Sequence, residues 1–311
     1  MIRSCFFVCR KILNLLIIII YWLQYIHADR FGMCIKKRGC ESMDLHAIEY
    51  YSAYSEQEPH GHFHRVIPIH DEPFLDWTEA SKLAPGLCRG WYELSQLPIQ
   101  DRIEFTREFW LAKIPYRPGL DEFLFNFFAS LDDIGIFLTQ QKYADPFEVH
   151  LVYSLVNNSG FFHGKCPASE AEIINLQKVF PNYILPADYL AFLQVHNGFA
   201  KLTDTGITPS INMKEGFEAF QKKLVEGPDP IATCEGDYVN PASLIPFYES
   251  FGMPFFQCFW GDWYPDQEMG NVYYSGLTRT ISTCKKKDDC VETMAFETFT
   301  DWLMFYLEKI D

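Results

Sequence analysis

The stretch HGHFHRVIPIHDE, residues 60–72, sets His60, His62 and His64 at alternate positions and follows them with His70 and Asp71. On a strand, alternate residues project from one face. Neutral imidazoles with a carboxylate are a donor set for zinc, nickel or copper. The spacing fits neither a His-Glu-x-x-His helix nor a zinc ribbon, and Pro59 and Gly61 favour a loop. Surface histidines are the simpler reading, so the sequence assigns no metal ligand and no cofactor. A second grouping, Cys166 near His163 with Asp188 further on, has the residue types of a thiol nucleophile with its base. Cys166 falls in a loop-like stretch, however, and closeness in sequence does not make a triad. There is no Gly-x-Ser-x-Gly elbow, kinase signature or phosphate-binding loop. Asp132 and Asp133 read as a helix-to-strand turn. No catalytic residue is assigned.

The third grouping is CFWGDWYPDQEMGN, residues 258–271, where Trp260, Trp263 and Tyr264 surround Asp262 and Asp266. Aromatic residues interleaved with acids suit the energetic centre of a protein interface. These five residues are the candidate partner-binding set; the plainer alternative is a core Trp260 followed by a hairpin loop.

The elements that must carry these groups can be read from periodicity. LPIQDRIEFTREFWLAKI has Ile103, Trp110, Leu111 and Ile114 at helical spacing and ends at Pro115. GLDEFLFNFFASL reads as a second helix, and IGIFLTQ and FEVHLVYSL as strands joined by the turn-rich QKYADP. The small, Gly-rich NNSGFFHGKCP, residues 157–167, reads as a boundary. After it, Ser169 and Glu172 form a capping box, and Pro186 opens a helix on which Tyr189, Phe192, Leu193 and His196 share a face. Gly198 fits the left-handed position closing that helix. From Ser243 the period switches to short aromatic strands, and TFTDWLMFYLEKI closes the sequence as a helix capped by Thr298, with Asp301 in its first turn.

Charge bounds the partners. The 311 residues carry a formal net charge of −15. Residues 1–42 hold seven Lys/Arg and two Asp/Glu, which leaves 19 basic against 39 acidic residues and a net of −20 in the remainder. Such a body repels phosphate backbones, so no nucleic-acid partner is expected. It suits a basic protein partner, while solubility is the bland account of the same charge. The ten cysteines include no Cys-x-x-Cys pair, which points to reduced thiols and a cytoplasmic setting. Residues 1–42 have three readings. They could be a leader ending near Ala28, or an anchor over residues 12–26, which falls short of the ~20 apolar residues a span needs. They could also be a mis-called start, because KKRG at 36–39 back-translates to a purine-rich stretch resembling a ribosome-binding site ahead of Met43. Only the anchor would bring a membrane contact, and only leader or anchor would mean export or attachment.

A helix with an LPADYLAFLQVHNG junction, then an aromatic sheet, then a Phe-x-x-Phe-x-x-Trp-Leu-like closing helix, resembles the SUKH superfamily, the Smi/Knr group of cell-wall regulators and bacterial toxin-immunity proteins. Leu185, Pro186, Tyr189, Phe192, Leu193, Asn197 and Gly198 match its most recognisable helix, and EMGNVYYSG and FTDWLMFYL look like its later strand and last helix. The segment INMKEGFEAFQKKLVEGPDP departs from the pattern. The resemblance implies an α+β fold over residues 168–311, helices packed on a mostly antiparallel sheet; the order of helices and strands within residues 43–160 reads as a smaller α+β unit of unknown type before it. The resemblance also implies a non-enzymatic interaction module whose partner is another protein, such as a basic toxin domain, or a regulatory scaffold.

Overall fold

The computed structural model describes residues 43–54, 61–71, 74–250, 253–265, 267–283 and 294–308. The leader, anchor or mis-called start at 1–42, together with His60 and Asp266, lies outside the described residues. The chain from Ser42 to Asp311 makes one compact unit.

Its organising feature is a sheet of twelve strands among the described residues. They are β1 (Arg65–Pro68), β2 (Leu131–Gln140), β3 (Glu148–Leu155), β4 (Phe161–Lys165), β5 (Phe199–Lys201), β6 (Gly206–Ile207), β7 (Ala232–Thr233), β8 (Leu244–Glu249), β9 (Phe255–Trp260), β10 (Asn271–Ser275), β11 (Thr280–Ile281) and β12 (Ala295–Phe296). The order is β1-β2-β3-β4-β5-β6-β8-β9-β10-β11-β7, with β12 on β10. Every pairing is antiparallel except β11 with β7. Helices and a mostly antiparallel sheet therefore give the α+β class expected.

The helices are α1 (Leu45–Tyr50), α2 (Trp77–Leu83), α3 (Arg89–Ser95), α4 (Ile99–Lys113), α5 (Leu120–Ala129), α6 (Glu170–Val179), α7 (Ala187–Leu193), α8 (Met213–Glu226) and α9 (Phe299–Leu307). The segment that departs from the family pattern is α8. Alternation along the strands sorts the core. Ile134, Ile136 and Leu138 of β2, with Leu151 and Tyr153 of β3, face a large core shared with α4, α5, α7 and α9. On the opposite face Phe137, Val152 and Phe161 meet Met43, Ala47 and Tyr51 of the first helical segment. With both faces covered, β2 and β3 are buried nearly throughout.

The stretch at 157–167 does not separate two units. Its residues 161–165 form β4, which pairs with β3 on one edge and β5 on the other. Residues 43–160 and 168–311 thus share one sheet and one core. Gly-rich sequence looked like a linker because β4 needs a glycine for packing. Gly164 lies beneath His196, and an added Cβ would overlap the imidazole ring. Gly164→Ala is expected to cost about 1–3 kcal/mol through overpacking, seen as a lower urea midpoint with an unchanged denaturant slope.

The HNG junction also differs from the sequence reading. Helix α7 ends at Leu193, capped by Gln194, whose amide bonds the Ala191 and Phe192 carbonyls. Gly198, at φ +111°, is therefore not the cap; it turns the chain into β5. Asn197 fastens three segments: its amide donates to the Cys166 carbonyl (3.3 Å), its Oδ1 accepts from the Ser210 amide (2.7 Å), and its Nδ2 donates to Glu172 (3.4 Å). Tyr189, Phe192 and Leu193 are fully buried, each contributing about 1.5–3 kcal/mol of apolar burial. Leu185 and Pro186 are buried at the head of α7, with Pro186 as its N-cap.

Candidate partner-binding site

The Trp-rich loop follows β9 and is held in shape by its backbone. The Trp263 amide donates to the Trp260 carbonyl, the Gly270 amide to the Trp263 carbonyl, and the Trp260 amide back to the Gly270 carbonyl, each at 3.0 Å. Gly270 is required because the Trp263 ring lies where its Cβ would be. The loop is also tied to the family helix. The Glu268 carboxylate accepts the Ala187 amide at the start of α7 (3.0 Å), and the Tyr183 ring rests on Gly261 while its hydroxyl donates to the Ala242 carbonyl (3.0 Å). Burial, with the Asp262 carboxylate nearby, lifts the Tyr183 hydroxyl above its ordinary value.

Trp260 and Trp263, with ring centroids 6.4 Å apart, form one wall of a cavity of about 280 Å³. The other wall is a tight turn after β7 carrying Glu235, Asp237 and Tyr238. In that turn Thr233 Oγ1 accepts the Glu235 and Asp237 amides, and Gly236 takes φ +94°. Thr283 donates to the Glu235 carboxylate (2.8 Å). The indole nitrogen of Trp260 is buried without a hydrogen-bond partner. The cavity is smaller than the roughly 300–1,000 Å³ of sites for drug-sized ligands. Aromatic walls and two carboxylates favour a cationic side chain, held by charge and by the ring faces.

Of the five residues expected at the site, Trp260 and Trp263 line the cavity. Asp262 and Tyr264 are exposed on the Tyr183 side of the loop, and Asp266 lies outside the described residues. Sequence reading missed the Glu235–Tyr238 turn, although an acid-Gly-acid-aromatic run is a legible turn signal. The other groupings weighed in the sequence are placed apart. His62 rests against Tyr50 and His64 against Tyr143, at centroid distances of 4.6 and 5.6 Å. His70 is buried with Nδ1 3.1 Å from both backbone polar atoms of Ile136. Among the described residues no three His, Cys, Asp or Glu side chains are grouped to hold a metal ion. His163 Nε2 meets the Leu202 carbonyl (3.1 Å), while Asp188 accepts from the Thr300 amide and hydroxyl (2.8 and 2.9 Å), joining α7 to α9. Burial raises the Asp188 carboxyl above its ordinary value despite those donors. Asp133 is no turn residue: within β2 it is buried against Arg102 (2.6 Å). No helix among the described residues is long and apolar enough to cross a membrane.

No curated protein and no solved structure matches the chain. Residues 167–304 do match the model of the SMI1 / KNR4 family (SUKH-1), and the match takes in α6, the α7 junction, the Trp-rich loop and most of α9: the C-terminal half of the chain is similar to that family.

Proposed function

We propose that the protein is a non-enzymatic, cytoplasmic interaction module of the immunity type, neutralising a toxin by covering a basic surface on it. The supporting observation is the cavity walled by Trp260 and Trp263 on one side and by Glu235 and Asp237 on the other, in a body of net charge −20. A lysine or arginine of the partner enters between the indole wall and the acidic turn, and the surrounding negative charge speeds encounter. Exposed Asp262 and Tyr264 form part of the rim.

Co-expression with a toxin encoded beside it tests this reading, with binding measured on purified proteins. Trp263→Ala is expected to weaken the complex by about thirtyfold or more, the effect of losing an interfacial hot spot. Rescue by no neighbouring toxin, or affinity unchanged in Trp263→Ala, would count against it. A regulatory scaffold is the second reading, favoured by a different surface. Phe105 and Phe109 of α4 and Phe125 of α5 are exposed, with Arg107 over Phe125 and Lys113 over Phe109. Stable recovery of an endogenous complex in cells without the toxin, lost when these phenylalanines become serine, would favour that reading.

A further inference from the structure

The first described segment, residues 43–54, lies across the face of the sheet that bears Phe137, Val152 and Phe161. Its start is pinned: the Asp44 amide donates to Ser154 Oγ and the Asp44 carboxylate accepts the Gly160 amide, both at 2.7 Å. Its end rests on two histidines, His150 of β3 and His163 of β4, whose ring centroids are 5.5 Å apart. The Tyr51 hydroxyl donates to His150 Nδ1 (3.0 Å), and the Tyr50 ring lies 5.7 Å from that of His163. The Tyr54 amide then donates to the Phe63 carbonyl (2.8 Å), and the Phe63 ring also packs on His150. The surroundings hold little to balance positive charge. From β3 comes one carboxylate, Glu148, 3.4 Å from His150 Nε2, and Lys165 of β4 already donates to it at 2.7 Å. The first segment contributes the phenols of Tyr50 and Tyr51, and His62 stacks on Tyr50 at 4.6 Å. The Leu202 carbonyl meets His163 Nε2 at 3.1 Å, while His196, across β4, opposes charge on His163. Burial holds both imidazoles below their ordinary range, His163 at about 3 with His150 as the next cause; Glu148 works the other way on His150.

We infer that residues 43–54 form an acid-released latch: proton uptake by His150 and His163 lifts Tyr50 and Tyr51 off the sheet while β2, β3 and β4 stay paired. Two cations 5.5 Å apart, beside one carboxylate already shared with a lysine, are not neutralised beneath the tyrosines. Protonated His150 also gives up the acceptor that the Tyr51 hydroxyl uses. With the segment lifted, the two rings meet water and charge near their ordinary value of about 6.5. Because the closed-state values lie below that, the latch is fully held above pH 6.5 and loosens as pH falls, by about tenfold per histidine for each unit. The backbone pairing of β2 with β3 and of β3 with β4 involves no titrating group, so the sheet outlasts the latch and bares Phe137, Val152 and Phe161.

Amide hydrogen exchange of the full-length protein at pH 7.5 and 5.5, corrected for the intrinsic effect of pH on exchange, is the test. The amides of Tyr51 and Tyr54, bonded to the Ala47 and Phe63 carbonyls, are expected to lose about a hundredfold of protection, tenfold from each histidine. Those of Tyr153 and Phe162, in the β3–β4 ladder, should stay protected over the same time. His163→Phe and His150→Gln are each expected to cut the loss to about tenfold. Unchanged protection at Tyr51 and Tyr54, exchange of the β3–β4 amides together with them, or a hundredfold loss that persists in both variants would overturn the inference.

Discussion

Replacing Arg102 with alanine is expected to lower stability by about 3–5 kcal/mol, because it leaves a carboxylate buried without its counter-charge. Arg102 and Asp133 are 5% and 6% exposed. Arg102 Nη2 donates to Asp133 at 2.6 Å and Nη1 to the Leu97 carbonyl at 3.1 Å, while its Nε has no partner. Asp133 also accepts the Ile134 amide (2.6 Å) at the irregularity where β2 begins against β3. The pair locks α4 onto the sheet. A buried ion pair need not beat a well-packed apolar one, so the double replacement Arg102→Met with Asp133→Leu is expected to recover most of the loss. Urea unfolding of the two variants decides the point. A loss below about 1 kcal/mol in the single variant, the size of an exposed pair, would show that the site takes in water.

Acid is expected to weaken the protein through His196, by about 3 kcal/mol between pH 6.5 and 4. Trp110 Nε1 donates to the Tyr153 hydroxyl (2.8 Å), the hydroxyl donates to His196 Nε2 (2.6 Å), and Nδ1–H donates to the Lys165 carbonyl. The neutral ring is favoured, since a proton on Nε2 would take away the acceptor of the tyrosine O–H and put a charge in the core. Burial brings His196 down to about 4. Between an unfolded value near 6.5 and that folded value, acid protonates the unfolded chain first. The stability is thus complete above pH 6.5 and is lost as pH falls towards 4. His163, brought down to about 3, and His150, also lowered, chiefly by burial, act in the same direction. Urea unfolding at several pH values should give a flatter dependence for His196→Leu than for the wild type, although the variant is less stable at neutral pH. Equal slopes would remove His196 from the account.

What the sequence made legible was local. The Ser169–Glu172 capping box, the Thr298 cap with Asp301, and the α4 and α5 periods depend on residues within one or two turns, and each forms where expected. What it hid depended on distant segments. Gly164 looked like a linker residue because its reason, the His196 ring, arrives 32 positions later. Asp133 looked like a turn because Arg102 lies 31 positions away. Trp263 stood out as a candidate interface aromatic, but the acidic turn that lines the same cavity follows β7, a strand joined to β11 by a parallel pairing.

The shared sheet has a consequence for dissection. The family match begins at residue 167, after β4 has already been laid down. A fragment cut there would keep α7 and His196 and lose Tyr153, the hydrogen-bond partner of that histidine, with the Trp110 that bonds Tyr153 in turn. It would also bare the β4-facing edge of Phe199–Lys201, backbone groups open to any passing strand. In sequence the first half reads as an extension; mechanically it is a keystone, and family boundaries drawn by similarity cut through it.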